Sequence, residues 1–414
     1  MTKNKHRFVV SLLVIFLLFC FTISVIAVEP ATLWNLDEYL KNPPKVTWGE
    51  KVNPFVQEVY YEGEPYQGQP TQIFAYFGTP KDKEYRNDKF PAILLIHGGG
   101  GKAFAEWAER WAKRGYFALA MDLNGQGPDK PLPDGVSLFK DIEIFRDFTI
   151  EDGDYKNMWT YQAIAAILRG HALLIAQKEI DPDKIAVTGI SWGGYLTCIL
   201  AGADNQLQAA VPVYGCGFLH ENSVWKGNWF GRLNNWFEKM TPEHQNRWVS
   251  LFDPSSHLGR ATMPMLFVNG TNDGAYPLDS YRKTCQLPKG DVTLSVTLRR
   301  PHGHIFTFNE VDTFIDSIVL KNTKPLPKIS AMKLNDDKKT VSVTFESEAA
   351  ITKAELAFTT NTGIYANREW KTIPAKINGK TISAELPTPV PTCYYILITD
   401  ERGLPVSSPI NILQ

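Results

Sequence analysis

The clearest chemistry in this 414-residue chain lies in Gly189-Ile190-Ser191-Trp192-Gly193. A serine hydroxyl attacks a carbonyl only when it is exposed, aligned and relieved of its proton. A G-x-S-x-G turn between a strand and a helix supplies exposure and alignment, and its flanking glycines admit a bend that a Cβ would block. The surroundings agree: Lys184 to Thr188 reads as a buried strand and Gly194 to Ala201 as a helix. Ser191 is therefore the candidate nucleophile.

A tetrahedral oxyanion needs N–H donors fixed where its charge develops. His97-Gly98-Gly99-Gly100-Gly101 follows an apolar strand and can aim backbone N–H groups without side-chain obstruction. Gly99, with Gly100 as the neighbouring choice, is the first expected donor. The N–H of Trp192, just after the serine, is the second.

The base must come from eight histidines. His6 lies in the N-terminal signal segment, His171 falls in a helix pattern, His97 in the glycine loop, and His220, His244 and His257 in or beside an insertion. His302 and His304 remain, in a loop between a strand (Val292 to Leu298) and a helix (Val311 to Leu320). Their spacing does not separate them. The orienting acid should lie between serine and histidine in the chain. Asp273, in Asn272-Asp273-Gly274 at the end of the strand Met263 to Val268, meets that order, with Asp279 and Asp253 as fallbacks.

The elements around these residues form a series. Ala92 to Ile96, Phe117 to Met121, Lys184 to Thr188, Ala209 to Tyr214 and Met263 to Val268 are short apolar runs, as in a parallel sheet buried on both faces. Ala103 to Lys113 and Tyr161 to Lys178 carry helical periodicity between them. The alternation predicts a doubly wound, mostly parallel α/β layer over residues 28–322, and the G-x-S-x-G elbow within it makes the α/β-hydrolase fold the expectation. Phe55 to Tyr61 and Thr71 to Phe77 read as an antiparallel pair before it. Residues 216–257 interrupt the series with Trp225, Trp229, Trp236 and Trp248 and with Phe218, Phe230, Phe237 and Phe252. They are expected to form a cap whose aromatics fill its own core or line a cleft. Beyond the linker at Lys321 to Pro327, five strand patterns and the Asn378-Gly379 hairpin signal predict a small all-β sandwich over 328–414.

Composition narrows the partners. A formal net charge of -1 gives no global field for nucleic acid. No His/Cys/Asp group has ligand spacing, so neither metal nor cofactor is expected. Lys3, Lys5 and Arg7 precede an apolar run from Phe8 to Val28, which reads as a signal peptide over 1–27 and an exported protein. An uncleaved anchor, or a lipidated Cys20, are the rival readings, and membrane association is expected only if this segment is retained. The other cysteines, Cys198, Cys216, Cys285 and Cys393, lack close spacing and read as idle thiols.

Asp122-Leu123-Asn124-Gly125-Gln126-Gly127, Trp159-Thr160-Tyr161 and Val187 to Gly194 together resemble the acetyl xylan esterase and cephalosporin-C deacetylase family. The run Glu179 to Ile185 strengthens the likeness, which covers roughly Val56 to Val319 and is shared in part with dienelactone hydrolase and prolyl oligopeptidase relatives. The resemblance implies deacetylation of a small or oligosaccharide ester by a triad at Ser191, Asp273 and His304, His304 matching the family's Gly-His step. The chain departs from the family pattern at Trp192 and at Gly99, and it carries the aromatic insertion and the C-terminal strands in addition. A serine peptidase related to prolyl oligopeptidase, or a non-catalytic glycan-binding surface protein, are the alternatives. An intact Ser-Asp-His order speaks against the last.

Overall fold

The structure, a computed structural model, describes residues 33–81, 89–135, 154–226, 228–229, 232–233, 236–337 and 339–413. The expected signal peptide and Cys20 lie outside the described residues, as does Phe230. No helix among the described residues is long and apolar enough to cross a membrane.

The first part of the chain runs α1 (Leu36–Lys41), β1 (Val46–Asn53), β2 (Val56–Glu62), β3 (Gln72–Gly78), β4 (Phe90–Ile96), α2 (Ala105–Lys113) and β5 (Phe117–Met121). It continues with α3 (Trp159–Ile175), β6 (Ile180–Ile190), α4 (Trp192–Ala203) and β7 (Ala209–Val213). The insertion holds a ribbon, β8 (Asn228–Trp229) and β9 (Arg232–Leu233), then α5 (Trp236–Lys239), α6 (Pro242–Phe252) and α7 (Pro254–His257). The layer closes with β10 (Met265–Gly270), α8 (Leu278–Thr284), β11 (Val292–Thr297) and α9 (Asn309–Val319).

Strands β5, β4, β6, β7, β10 and β11 lie side by side in that order and all pair in parallel. Every residue of β4 and β5 is buried, so both faces of the sheet are covered. Helix α2 packs beside α9, joined by Arg110 to Asp312 and Arg114 to Asp316. Helix α3 packs on α4 and is buried over nearly its whole length, as its run of apolar residues dictates. This is the α/β-hydrolase fold. Before it, β1 to β3 form an antiparallel meander that joins the sheet through β3 and β5. Strand β1 escapes the sequence pattern because it is an exposed edge with no fully buried residue.

The C-terminal strands do not stand apart. They comprise β12 (Lys328–Ile329), β13 (Lys333–Leu334), β14 (Thr340–Glu346), β15 (Ile351–Thr359), β16 (Lys371–Pro374), β17 (Lys376–Asn378), β18 (Thr381–Glu385), β19 (Cys393–Asp400), β20 (Pro405–Ser407) and β21 (Asn411–Ile412). Strand β20 pairs antiparallel with β11 at Leu294 and Ser407, so β20, β19, β15 and β16 extend the hydrolase sheet to fourteen strands. Strands β12, β14, β18 and β17, with β13, form a second sheet. One of the five strand patterns, Thr372 to Ile377, is split at Ala375: β16 pairs with β15, and β17 with β18 in the other sheet. Asn378-Gly379 makes the expected turn, with Gly379 at φ 57°.

Candidate active site

Strand β6 ends at Ile190 and α4 begins at Trp192, which leaves Ser191 alone in the turn. Its backbone sits at φ 60°, ψ -115°, a region that side-chain-bearing residues rarely occupy. The Ser191 N–H donates to the Val213 carbonyl at 2.9 Å, tying the turn to β7. A Cβ on Gly189 would lie 2.2 Å from the Gly193 carbonyl oxygen, and one on Gly193 only 2.0 Å from that of Ile96. Both glycines of the motif are thus required by close backbone approach.

The Ser191 hydroxyl lies 2.8 Å from Nε2 of His302. His302 Nδ1 lies 2.7 Å from Oδ2 of Asp273. Asp273 is 4% exposed, and its Oδ1 accepts the N–H groups of Ala275 and Tyr276, both at 2.9 Å. A carboxylate so placed is an acceptor, so the proton sits on Nδ1 of His302 and Nε2 is left to accept from serine. Tyr214 stacks on the imidazole at 4.5 Å between centroids, and its hydroxyl donates to the Pro301 carbonyl at 2.7 Å.

The assignment of His304 to the base position is thereby corrected. Its Nε2 faces the glycine loop and accepts the Gly98 N–H at 3.0 Å. Its ring packs on Phe104. Burial, helped by the fields of His97 and His302, holds its pKa below the ordinary histidine value, as suits an acceptor. The two histidines diverge because the loop is pinned at both ends. Arg300 pairs with Glu310 at 2.6 Å, and Phe306 stacks on Trp107 at 4.6 Å. Of the fallback acids, Asp253 accepts the N–H groups of Phe218, Leu219 and Ser255, and Asp279 holds the Asn222 side chain; neither reaches a histidine of the site.

His97, passed over as a loop residue, buttresses the glycine run. Its Nε2 accepts the Leu123 N–H at 2.9 Å, so its Nδ1 carries the proton and donates to the Gly98 carbonyl at 2.7 Å. Full burial lowers its pKa to about 4, which keeps it neutral. With Gly98 held on both sides by His97 and His304, Gly99 is exposed at the mouth of the site. The Trp192 indole covers Gly99 so closely that a Cβ there would lie 2.2 Å from its Cδ1. Trp192 itself begins α4, where the N–H groups point out of the helix end. Gly99 therefore lies against the ring of Trp192, the residue that follows Ser191.

The insertion divides its aromatics. Trp248, Phe237 and Phe252 are buried and join the main hydrophobic core, with Phe237 and Trp248 edge to face. Trp225 instead meets the Trp192 ring at 4.5 Å and Tyr276 at 5.8 Å. With Trp192, the residue after the nucleophile, it makes an aromatic wall. Among the described residues no group of three or more His, Cys, Asp or Glu could hold a metal ion, and the four thiols are unpaired.

Comparison with known proteins agrees with this fold. Residues 153–312 match the model of the prolyl oligopeptidase family. The acetyl esterase Axe7A of Xylanibacter ruminicola is 28% identical over 259 residues, 59% of this chain and 55% of the esterase, so the chain spans about half the length of that relative. Two solved structures share the fold over most of this chain. The acetyl xylan esterase from Paenibacillus sp. R4 gives a TM-score of 0.57 at 21% identity, covering 70% of this chain and 94% of that one. Acetyl xylan esterase 1 from Thermoanaerobacterium sp. JW/SL YS485 gives 0.54 at 19%, covering 69% and 93%. The resemblance read from the sequence is borne out: the chain has the α/β-hydrolase fold, and its core is similar to the prolyl oligopeptidase family and to acetyl esterases.

Proposed function

We propose that this protein is a serine carboxylic-ester hydrolase that removes acetyl or similar small acyl groups from a carbohydrate. The observation that carries the reading is the continuous hydrogen-bonded line from Asp273 through His302 to Ser191, set beside the glycine loop. His302 Nε2 takes the Ser191 proton as Oγ attacks the ester carbonyl carbon. The oxyanion accepts hydrogen bonds from the N–H groups of Gly99 and Trp192. The C–O bond to the alcohol breaks, and His302 returns the proton to the leaving oxygen. Water then repeats the sequence on the acyl-serine and releases the acid. The chemistry needs no cofactor. A small acyl group suits the wall made by Trp192 and Trp225, and acetyl esterases are among the relatives. Export by cleavage after residue 27 completes the proposal; the N-terminal mass of the mature protein tests that part.

Hydrolysis of p-nitrophenyl acetate by the protein and by Ser191→Ala tests the reaction. Turnover in the first and its loss in the second are expected, followed by acetate release from acetylated xylo-oligosaccharides. The match to the prolyl oligopeptidase family supports a second reading, peptide cleavage by the same residues. Faster turnover of peptide anilides than of acetyl esters would favour it.

A further inference from the structure

Beside His302 the structure holds an open cleft of about 580 Å³. One wall is the Asp273 loop with the segment from Arg299 to His302. The other comes from the turn between β15 and β16, at Ala366, Asn367 and Arg368. Asn272 fixes the second wall to the first: its Nδ2 donates to the carbonyl oxygens of Arg368 at 2.7 Å and Ala366 at 3.1 Å.

The charges around this cleft do not balance. Arg300 is neutralised by Glu310. Asp273, the carboxylate among the lining residues, is taken up by His302 and two backbone N–H groups. Arg299 and Arg368 form no ion pair among the described residues. Arg368 is 9% exposed; it stacks on Tyr365 at 3.6 Å and donates to the Gly363 carbonyl at 2.8 Å, which orients the guanidinium without cancelling its charge. Arg299 is exposed, and its backbone is held at φ 50° while its N–H donates to Thr271 Oγ1 at 3.0 Å. Asp279, whose field reaches Tyr365, is occupied by Asn222.

His302 must deliver a proton to the leaving oxygen, so the alcohol part of an ester lies on the side of His302. The cleft is on that side. We propose that it is a subsite for a carboxylate carried by the alcohol part of the substrate, as in an acidic sugar, recognised by Arg299 and Arg368. This rests on the ester-hydrolase reading above, and it makes the C-terminal strands part of the substrate site. Guanidinium groups with unused donors favour a planar carboxylate over a neutral group of the same size.

The test compares 3-acetoxybenzoate with its neutral isostere 3-acetoxybenzamide, using the full chain, Arg299→Ala and Arg299→Lys. The expected result is a preference for the anionic ester of about ten-fold in kcat/KM at low salt, carried by KM. That preference collapses in Arg299→Ala, survives in part in Arg299→Lys, and shrinks with added salt. Equal use of the two esters by the full chain, or an unchanged preference in Arg299→Ala, overturns the proposal. Calorimetric binding of the alcohol products decides the point without turnover. Tighter binding of 3-hydroxybenzoate than of 3-hydroxybenzamide, lost in Arg299→Ala, upholds the subsite even if neither ester is cleaved; equal binding refutes it.

Discussion

The Trp192 indole lies over Gly99 with no room for a methyl group between them. Gly99→Ala must therefore push either the indole or the loop, and a loop shift of a few tenths of an ångström moves an N–H that has to meet the oxyanion. Loss of one such donor costs on the order of 10²–10³ in kcat. We expect Gly99→Ala to lower kcat of ester hydrolysis by at least about ten-fold with little change in KM. Removing the indole frees the space, so the same change in a Trp192→Ala background should cost less; equal costs in both backgrounds would show that the contact plays no part. This contact explains what the sequence could and could not disclose. The order Ser191, Asp273, His and the glycine run were legible because each needs a residue type that little else explains at that place. The choice between His302 and His304 was not legible. It depends on where Arg300 and Phe306 pin their shared loop, through contacts with Glu310 and Trp107. His97 was passed over for a similar reason: its partners, Leu123 and Gly98, meet it only after the sheet has formed.

At the scale of elements, buried parallel strands were readable from their continuous apolar runs. The exposed edge β1 and the split at Ala375 were not, since neither leaves a periodic signal. The joint between the Asp273 loop and the C-terminal strands is likewise invisible in sequence, because it rests on one amide and backbone carbonyls. Asn272 Nδ2 donates to Arg368 and Ala366 ninety residues and more away. Asn272→Ala removes the donor and leaves half-buried carbonyls unpaired, at a cost of about 1–3 kcal/mol. The expected outcome is a lower melting temperature together with a lower kcat. Asn272→Asp should not restore either, since a carboxylate cannot donate. A melting temperature equal to that of the unaltered protein would show that the joint carries no load.

For the whole molecule, the extension of the sheet by β20 has a consequence for folding. Cutting the chain after Pro327 would expose the β11 edge and the apolar residues that β19 and β20 bury, and an open apolar edge invites pairing between chains. The shortened protein should aggregate on expression; a soluble monomer melting as the full chain does would contradict this. Stability should also depend on pH. Burial lowers His97 and His257 to about 4 in the folded protein, against about 6.5 when unfolded. Between those values the unfolded chain binds more protons, so stability is full above pH 6.5 and is lost as pH falls toward 4. Each histidine can contribute roughly 3 kcal/mol to that loss. Asp122, raised to about 6 by burial, works the other way, its stabilisation fading as pH rises through its folded value. Two histidines against one aspartate leave a net fall, so the melting temperature should drop from pH 6.5 to 4.5. A flat profile over that range would mean that the buried imidazoles are not held neutral.

The most direct measurement is kcat/KM for p-nitrophenyl acetate with His302→Ala beside His304→Ala, each checked for folding by its melting temperature. His302→Ala should lose on the order of 10⁴-fold or more, because serine then has no base. His304→Ala should lose far less, about 10²-fold at most, because it only releases the Gly98 N–H. The opposite ranking, in folded variants, would contradict the line from Asp273 through His302 to Ser191.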